Sequence, residues 1–534
     1  MSKTSYIEKV TSFLQSNGFT LLDADPLKKY TSKFRKILDQ FGPTLFEDYK
    51  KLIPMNFNIP RLYGLPKVHK NDIPIRPVVS FYTSLAYKLS KRLNEYITDR
   101  VDYQSPHSIK NTGDLIEKLK KIQPPNNLIL ASLDVSNLFT TVPVQQTLQI
   151  FKNLLINSGL SDSIVESIFH LTKLCLEQNF FMFNGSIYSQ PKGLNMGNGL
   201  SSCMAEVFMK YFEKSFVFHV NNPFKDKILF WFRYVDDIFI GWLGSQQELS
   251  DFYNWLNIRH SNIKFTLETE ENNSINFLDL TITIRENKFN FDIYRKPSQT
   301  NHSIHSNSCH HHTHKLTAFR SYIHRMFKIP LDKKEFDKEV STIKYIAQEN
   351  GFDPNIIDRL INKKKFRLLS NDSHRTNKVE NYISLPFFGD ISYQISNVLK
   401  QQKNLKISFK TQNTLQQLLV YNKDPLPILE KSGVYKLKCG EPSCNIVYIG
   451  RSGRNIATRI KEHLMSQRIM SNNKSTFGKH LKDTNHEFDP NTDVELLHPV
   501  EYGFKQETWE ELEIYKHSQS RYEEPVNIMS TNTV

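Results

Sequence analysis

Apolar residues recur at helical spacing through the first 55 residues, where Ile7, Val10, Phe13 and Leu14 share one face, and this predicts amphipathic helices. From Asn56 to Ser80 the period is lost. Pro60, Pro66, Pro74 and Pro77 punctuate short extended pieces interleaved with Arg61, Lys67, His69, Lys70 and Arg76, a pattern that reads as a phosphate-facing loop system. Leu128 to Val135 is a near-continuous apolar run ending in Asp134, as expected of a buried strand that delivers a carboxylate. Leu200 to Phe216 returns to the helical period. Ile228 to Trp242 then reads as two aromatic-rich strands around Tyr234-Val235-Asp236-Asp237, which sets the acidic pair at a hairpin tip. Strands and helices mix without a regular βαβ repeat, so the pattern predicts an α+β fold and not a doubly wound sheet.

Beyond Phe277-Leu278-Asp279 and Tyr294-Arg295-Lys296-Pro297 lies a stretch with six histidines between His302 and His314, then helical segments through Lys363, Lys364, Lys365 and Arg367. Their spacing matches no closed metal site, and a loop along phosphates is the plainer reading. Asn371 to Lys378 is polar and reads as a linker. A helix near Ile391 to Lys400 and a strand near Leu405 to Phe409 precede a last compact domain from about Pro427. The 534 residues call for several packing units. The expected boundaries are residues 1–55 (helical extension), 56–290, 291–370, 371–426 and 427–534.

Charge narrows the partners. Lys plus Arg number 69 against 55 for Asp plus Glu, a net +14 that favours polyanions through counterion release. The start, MSKTSYIEKV, has no apolar signal core, and the most apolar stretch, around Leu229 to Trp242, is broken by Arg233, Asp236 and Asp237. Neither secretion nor a membrane span is expected. Five cysteines without a signal argue for reduced thiols and one metal site, since Cys439 and Cys444 are close while Cys175, Cys203 and Cys309 are scattered.

Phosphoryl transfer onto a 3′-hydroxyl uses two divalent cations held by carboxylates on rigid strands, and Asp134, Asp236 and Asp237 supply the candidates. A lone Asp-Asp pair is ordinarily a solvated turn, but here buried-looking aromatics flank it. Tyr234-Val235-Asp236-Asp237 resembles the catalytic signature of reverse transcriptases, downstream of Asp134 as that family requires. Leu133-Asp134-Val135-Ser136-Asn137-Leu138-Phe139-Thr140-Thr141-Val142-Pro143, Arg76-Pro77-Val78-Val79-Ser80 and Phe277-Leu278-Asp279 resemble Penelope-like enzymes in particular, over about residues 56 to 330.

The resemblance implies a right-hand polymerase: fingers and palm over 56–290 and a thumb over 291–370 that includes Arg295 and Lys296. Asp134, Asp236 and Asp237 would be ligands of two magnesium ions, with manganese as an alternative, and Arg76 with Lys67 would hold the triphosphate. Phe139 falls where such polymerases place an aromatic wall against the ribose 2′-hydroxyl. Gln190 through Ala205 resembles the block supporting template and new base pair, with Gln190, Gly193, Met196, Gly197 and Ser201 in the expected places. The sequence departs from that block at Asn198-Gly199, where a Ser-Pro pair is common, and at Ser202, where Pro is common; Gly199 is expected to loosen the turn that Pro would fix. Penelope-like proteins often carry a longer N-terminal region than this chain has before its first polymerase block.

Near the C-terminus, Gly433-Val434-Tyr435 and Tyr448-Ile449-Gly450 read as two short strands, followed by a helix from about Asn455 carrying Arg459, Glu462 and His463. Cys439 and Cys444 lie between those strands, and His480 and His486 follow, an order and spacing close to a Cys2His2 zinc site; four such ligands close the shell, so the site is structural. The arrangement resembles the GIY-YIG nuclease fold over about residues 430 to 530. That resemblance implies one cation held by Glu510, with Glu511 the competing register. It also gives Tyr435 and Tyr448 to water activation, Arg459 to charge stabilisation and His463 to proton transfer, and makes Asn527 a late phosphate-contacting or structural residue. Penelope-like elements are similar here too, with Cys and His ligands inside this nuclease.

Together these expectations describe an element-encoded enzyme that nicks target DNA and extends the exposed 3′-end with deoxynucleoside triphosphates by copying template RNA, acting inside the cell and at the nucleus. Two other readings are a catalytically silent nucleic-acid-binding descendant of such an element, and an endonuclease whose polymerase-like body only binds structured RNA. Salt-sensitive nucleic-acid binding is common to all three.

Overall fold

The computed structural model describes every residue apart from 69–71, 370–380, 402–404, 412–423, 469–474, 520–526 and 530–534, so the proposed linker at 371–378 lies outside the described residues. Two compact units divide the chain. One gathers Met1–Asp102, Phe151–Ser201 and Tyr421–Val534; the other gathers Tyr103–Ile150 and Ser202–Val420.

In the first unit, helices Leu27–Leu45, Tyr87–Arg100 and Asp162–Glu177 bury stripes at a spacing of about one turn, such as Tyr30, Phe34 and Leu38, or Leu89, Leu93 and Ile97. The Tyr30 hydroxyl donates to the Leu174 carbonyl at 2.9 Å. Beside them is a five-stranded sheet in the order Thr20–Leu21, Ser186–Ser189, Phe180–Phe183, Arg61–Pro66, Ile75–Ser80. Purely helical character for the first 55 residues is therefore incomplete, because Thr20 and Leu21 pair with Ser189 and Tyr188. Two residues are too few for period-2 alternation to register in the sequence.

The C-terminal part of the same unit is a four-stranded sheet, Val494–His498, Gly433–Lys438, Ile446–Ser452, Asn527–Met529, of which the last pair is parallel. Tyr435, Leu437, Tyr448, Ile456, Ile460, Phe477 and Leu481 form its core with helices Ile456–Arg468 and Thr476–Thr484.

The second unit is built on an antiparallel sheet in the order Ile228–Tyr234, Asp237–Trp242, Ile129–Val135, Phe265–Thr269. A three-stranded meander, Ser274–Phe277, Leu280–Arg285 and Lys288–Ile293, leads to helices Thr317–Lys328, Lys333–Glu349 and Asn355–Leu369. Leu130, Phe239, Phe277, Ile282, Phe319, Ile343 and Ile357 belong to one core spanning sheet, meander and helices, each contributing about 1.5–3 kcal/mol by burial. Asn381–Pro386 and Leu405–Lys410 pair in parallel around helix Asp390–Lys400, a single βαβ element whose first strand the sequence pattern does not predict. The architecture is α+β, as the pattern predicts. No helix of the described residues is long and apolar enough to cross a membrane.

Candidate active sites

Strand Ile129–Val135 buries Leu130, Ala131, Leu133 and Val135 and leaves Asp134 exposed at its end. The neighbouring hairpin closes through Val235 and Asp236, between the paired residues Tyr234 and Asp237. Val235 has φ 57°, a left-handed conformation that costs a β-branched residue about 1–3 kcal/mol and is tolerated where surrounding structure enforces it. Asp134 lies in register with Asp237, and the Val135 amide donates to the Asp236 carbonyl at 3.0 Å. The three aspartates thereby meet at one end of the sheet.

Burial, then the charges of Asp236 and Asp134, push the Asp237 carboxyl up to about 6, while Lys296 pulls it down. A carboxylate that burial and acidic neighbours make hard to ionise favours a divalent cation, which relieves the repulsion. Lys296 is thus within electrostatic reach of the acidic end. Arg295 is not similarly available, since its guanidinium meets both oxygens of the buried Glu339 at 2.7 and 2.5 Å. Phe139, on the short turn Leu138–Thr141, is half-buried rather than inside the core.

Lys67, Arg76, Gln190 and Gly193 belong to the first unit. Arg76 is exposed on strand Ile75–Ser80, and the Lys67 amide donates to the Pro74 carbonyl at 2.9 Å. Gln190 is buried and exchanges backbone and side-chain bonds with Asn179 and Leu194, so it braces the loop that Gly193 turns at φ 76°. At Gly197, φ 131°, a Cβ would stand 2.0 Å from the Val79 carbonyl oxygen, so only glycine fits.

The Asn198-Gly199 departure is accommodated rather than loosening. Asn198 is buried, its Nδ2 donates to the Cys175 carbonyl at 3.0 Å, and its Oδ1 accepts from the Leu200 amide at 3.0 Å. A Cβ on Gly199 would lie 3.0 Å from Ser90 Oγ and 3.1 Å from the Lys91 amide, so close packing on helix Tyr87–Arg100 fixes the turn that Pro would otherwise fix.

In the C-terminal sheet Tyr435 pairs with Gly450 and Leu437 with Tyr448, and both tyrosines are buried. The Tyr435 hydroxyl meets His463 Nε2 at 2.9 Å; His463 Nδ1 meets Ser475 Oγ at 2.5 Å, and the Gly478 amide donates to that same Oγ at 2.9 Å. Burial, then the Arg459 charge, hold His463 down to about 3. It is a neutral imidazole at physiological pH, whose Nε2 can accept the hydrogen bond of the Tyr435 hydroxyl. Burial raises both Tyr435 and Tyr448, and Arg459 opposes it in each case.

Glu510 is buried, while Glu511 is exposed. Glu510 raises Tyr435 and Tyr448 electrostatically and contacts Arg451 Nε at 3.0 Å. Asn527 enters the sheet through backbone pairing with Ile446. Ser475 and Arg451 are the members that the sequence reading misses, because neither carries a motif of its own.

Cys439, Cys444, His480 and His486 offer ligand atoms that all lie within 4.8 Å of one another. Cys439 Sγ is 3.2 Å from His486 Nδ1, and Cys444 Sγ is 3.5 Å from His480 Nε2. A tetrahedral zinc with Zn–S of about 2.3 Å and Zn–N of about 2.0 Å places sulfur and nitrogen roughly 3.5 Å apart, so the donor set fits zinc. Among the described residues this is the one group of three or more Cys, His, Asp or Glu drawn together in this way.

Residues 68–272 match the family model described as reverse transcriptase (RNA-dependent DNA polymerase), and residues 302–362 match that of the animal helix-turn-helix domain. No curated protein matches significantly. Among solved structures, telomerase from Candida albicans in complex with a TWJ fragment of telomeric RNA is similar at 11% identity, over 70% of this chain and 62% of that one, with TM-score 0.44. Apo telomerase from Candida Tropicalis, truncated from its C-terminal domain, is similar at 11% identity over 54% and 60%, TM-score 0.36. The Sicinivirus 3Dpol RNA-dependent RNA polymerase is similar at 14% identity over 63% and 70%, TM-score 0.40. The chain thus spans about three fifths of the telomerase chains it matches.

Proposed function

We propose, starting from the reverse transcriptase domain at residues 68–272, that the chain is an RNA-directed DNA polymerase coupled to a DNA-nicking endonuclease of the GIY-YIG type, as in Penelope-like retroelements. The observation that carries the polymerase half is the register of Asp134 with Asp237 beside the strained Val235-Asp236 turn, which gathers three carboxylates at one sheet end. Magnesium, or manganese in its place, would be held by Asp134, Asp236 and Asp237 and would activate the primer 3′-hydroxyl and stabilise the displaced pyrophosphate.

The chain's own groups supply the rest. Arg76 and Lys67 hold the triphosphate of the incoming deoxynucleotide, Gln190 and Gly193 shape the loop beneath the new base pair, and Phe139 excludes a ribose 2′-hydroxyl. Lys296 offsets charge at the acidic end. Arg295 keeps the following segment on helix Lys333–Glu349 through Glu339 and serves nucleic-acid binding indirectly. Residues 291–370 act as a thumb on the primer–template duplex.

In the nuclease, Glu510 would hold a single magnesium ion that polarises the scissile phosphate. Tyr435, bonded to neutral His463, takes a proton from the attacking water as the imidazole takes the phenol's, Tyr448 orients that water, and Arg459 stabilises the developing charge. Asn527, which joins the sheet through its backbone, serves as the late structural or phosphate-contacting residue. Zinc bound by Cys439, Cys444, His480 and His486 would staple this domain without taking part in the chemistry. Partners are target DNA, template RNA and deoxynucleoside triphosphates, met at the nucleus.

A coupled assay tests the reading: supercoiled plasmid, an RNA template and labelled deoxynucleotides. Label joined covalently to nicked plasmid is expected. Nicking without label, or label only on free primers, would contradict the coupling.

A further inference from the structure

Strand Ile228–Tyr234 carries an arginine where its neighbours are aromatic. The Arg233 side chain is 1% exposed, and its guanidinium is surrounded by acceptors. Nε donates to Glu213 at 2.6 Å; Nη1 and Nη2 donate to the two oxygens of Glu206 at 2.9 and 3.0 Å, a two-point fork. Nη1 also reaches the Val235 carbonyl at 3.3 Å, the residue whose positive φ begins the aspartate turn. Glu206 and Glu213 are seven residues apart, so two turns bring them to the same face. The second sits where helix Ser201–Phe212 widens into a π-turn, Glu213–Val217.

The glutamates are themselves held. Glu213 accepts from the Trp231 indole at 3.0 Å and from the Ser105 hydroxyl, while Glu206 accepts from the Ser105 amide at 2.9 Å and the Ser108 hydroxyl. A buried set of charges is a poor stabiliser compared with apolar side chains of the same volume, so its presence needs another reason. Rigid geometry is that reason: the fork fixes the carbonyl from which the Asp236-Asp237 pair projects.

We propose that Arg233, clamped by Glu206 and Glu213, is a positioning residue that enforces the strained Val235-Asp236 turn and so sets the separation of the carboxylates offered to the cations. The clamp rests on the polymerase reading of Asp134, Asp236 and Asp237. Lysine is a poor substitute, because a point charge cannot make the fork to Glu206 and also reach Glu213 and Val235.

The test measures Mn2+ binding by electron paramagnetic resonance on the full chain, counting only sites lost in Asp236→Asn, together with primer extension. For Arg233→Lys, Mn2+ affinity at those sites and kcat are both expected to fall by about tenfold or more, with the deoxynucleotide KM within about twofold, since small misplacements of reacting groups are costly while substrate binding is untouched. Ser108→Ala, which removes one bond to Glu206, keeps the test open should the lysine variant unfold, and is expected to shift both readouts in the same direction by a few-fold. Wild-type Mn2+ affinity and kcat in a folded Arg233→Lys or Ser108→Ala chain would overturn the clamp. Absence of any Asp236-dependent Mn2+ site in the wild-type chain would instead overturn the polymerase reading, and the clamp's role with it.

Discussion

Asp134 and Asp237 face each other in register across adjacent antiparallel strands, one at the end of Ile129–Val135 and the other opening Asp237–Trp242. A slip of one residue would send one carboxylate to the opposite face of the sheet, so the whole acidic site depends on this pairing. The buried neighbours Leu133 and Ile238 hold the register.

The nuclease reading assigns distinct weights to two adjacent glutamates. Glu510→Gln is expected to reduce nicking by about 10²-fold or more, while Glu511→Gln, altering an exposed side chain, stays near wild type. Tyr435→Phe removes the hydroxyl bonded to His463 and is expected to fall with Glu510→Gln, at a stability cost of about 1 kcal/mol. Plasmid nicking by the purified variants checks all three.

His463 sets a pH dependence whose sign follows from its burial. Its folded-state value is depressed to about 3, below the ordinary histidine value, so the unfolded chain binds more protons between the two. The neutral imidazole's contribution is fully present above pH of about 6.5 and declines as pH falls toward about 3, with a limiting slope near 1.4 kcal/mol per unit. Other groups also titrate in acid, so the readout is the difference from His463→Gln. Chemical denaturation of both chains across this range should show the shallower decline in the variant.

Zinc supplies a third test. On the zinc reading, Cys444→Ser removes one sulfur ligand from the quartet and is expected to abolish zinc binding and lower the unfolding temperature of the C-terminal sheet domain, because structural zinc carries about 10–16 kcal/mol of apparent binding free energy. Metal analysis with calorimetry checks it; a zinc-loaded variant of unchanged stability would remove the staple.

Much of this architecture was legible in the sequence where one physical signal dominated. The apolar run into Asp134, the aromatic hairpin around Asp236-Asp237 and the paired strands bearing Tyr435 and Tyr448 all appear as expected, because burial imposes a strong period on each. Strands Thr20–Leu21 and Asn381–Pro386 did not: the first is too short for alternation to register, and it pairs with Ser189 and Tyr188 far along the chain, while the second is recognised only through its parallel pairing with Leu405–Lys410. Gly199 reads as a loosened turn in one dimension; the close packing of Ser90 and the bonds of Asn198 that fix it exist only in three. Arg233 reads as an interruption of an apolar strand, and its meaning waits on the two glutamates that the fold brings to it.

The most direct test of the central claim is primer extension on an RNA template with magnesium and deoxynucleotides, comparing the intact chain with Asp236→Asn. The account predicts extension by the intact chain, a loss of about 10³-fold or more in the variant, and undiminished nicking by both. No extension by folded, intact protein across several templates, or equal loss of synthesis and nicking in the variant, would contradict it.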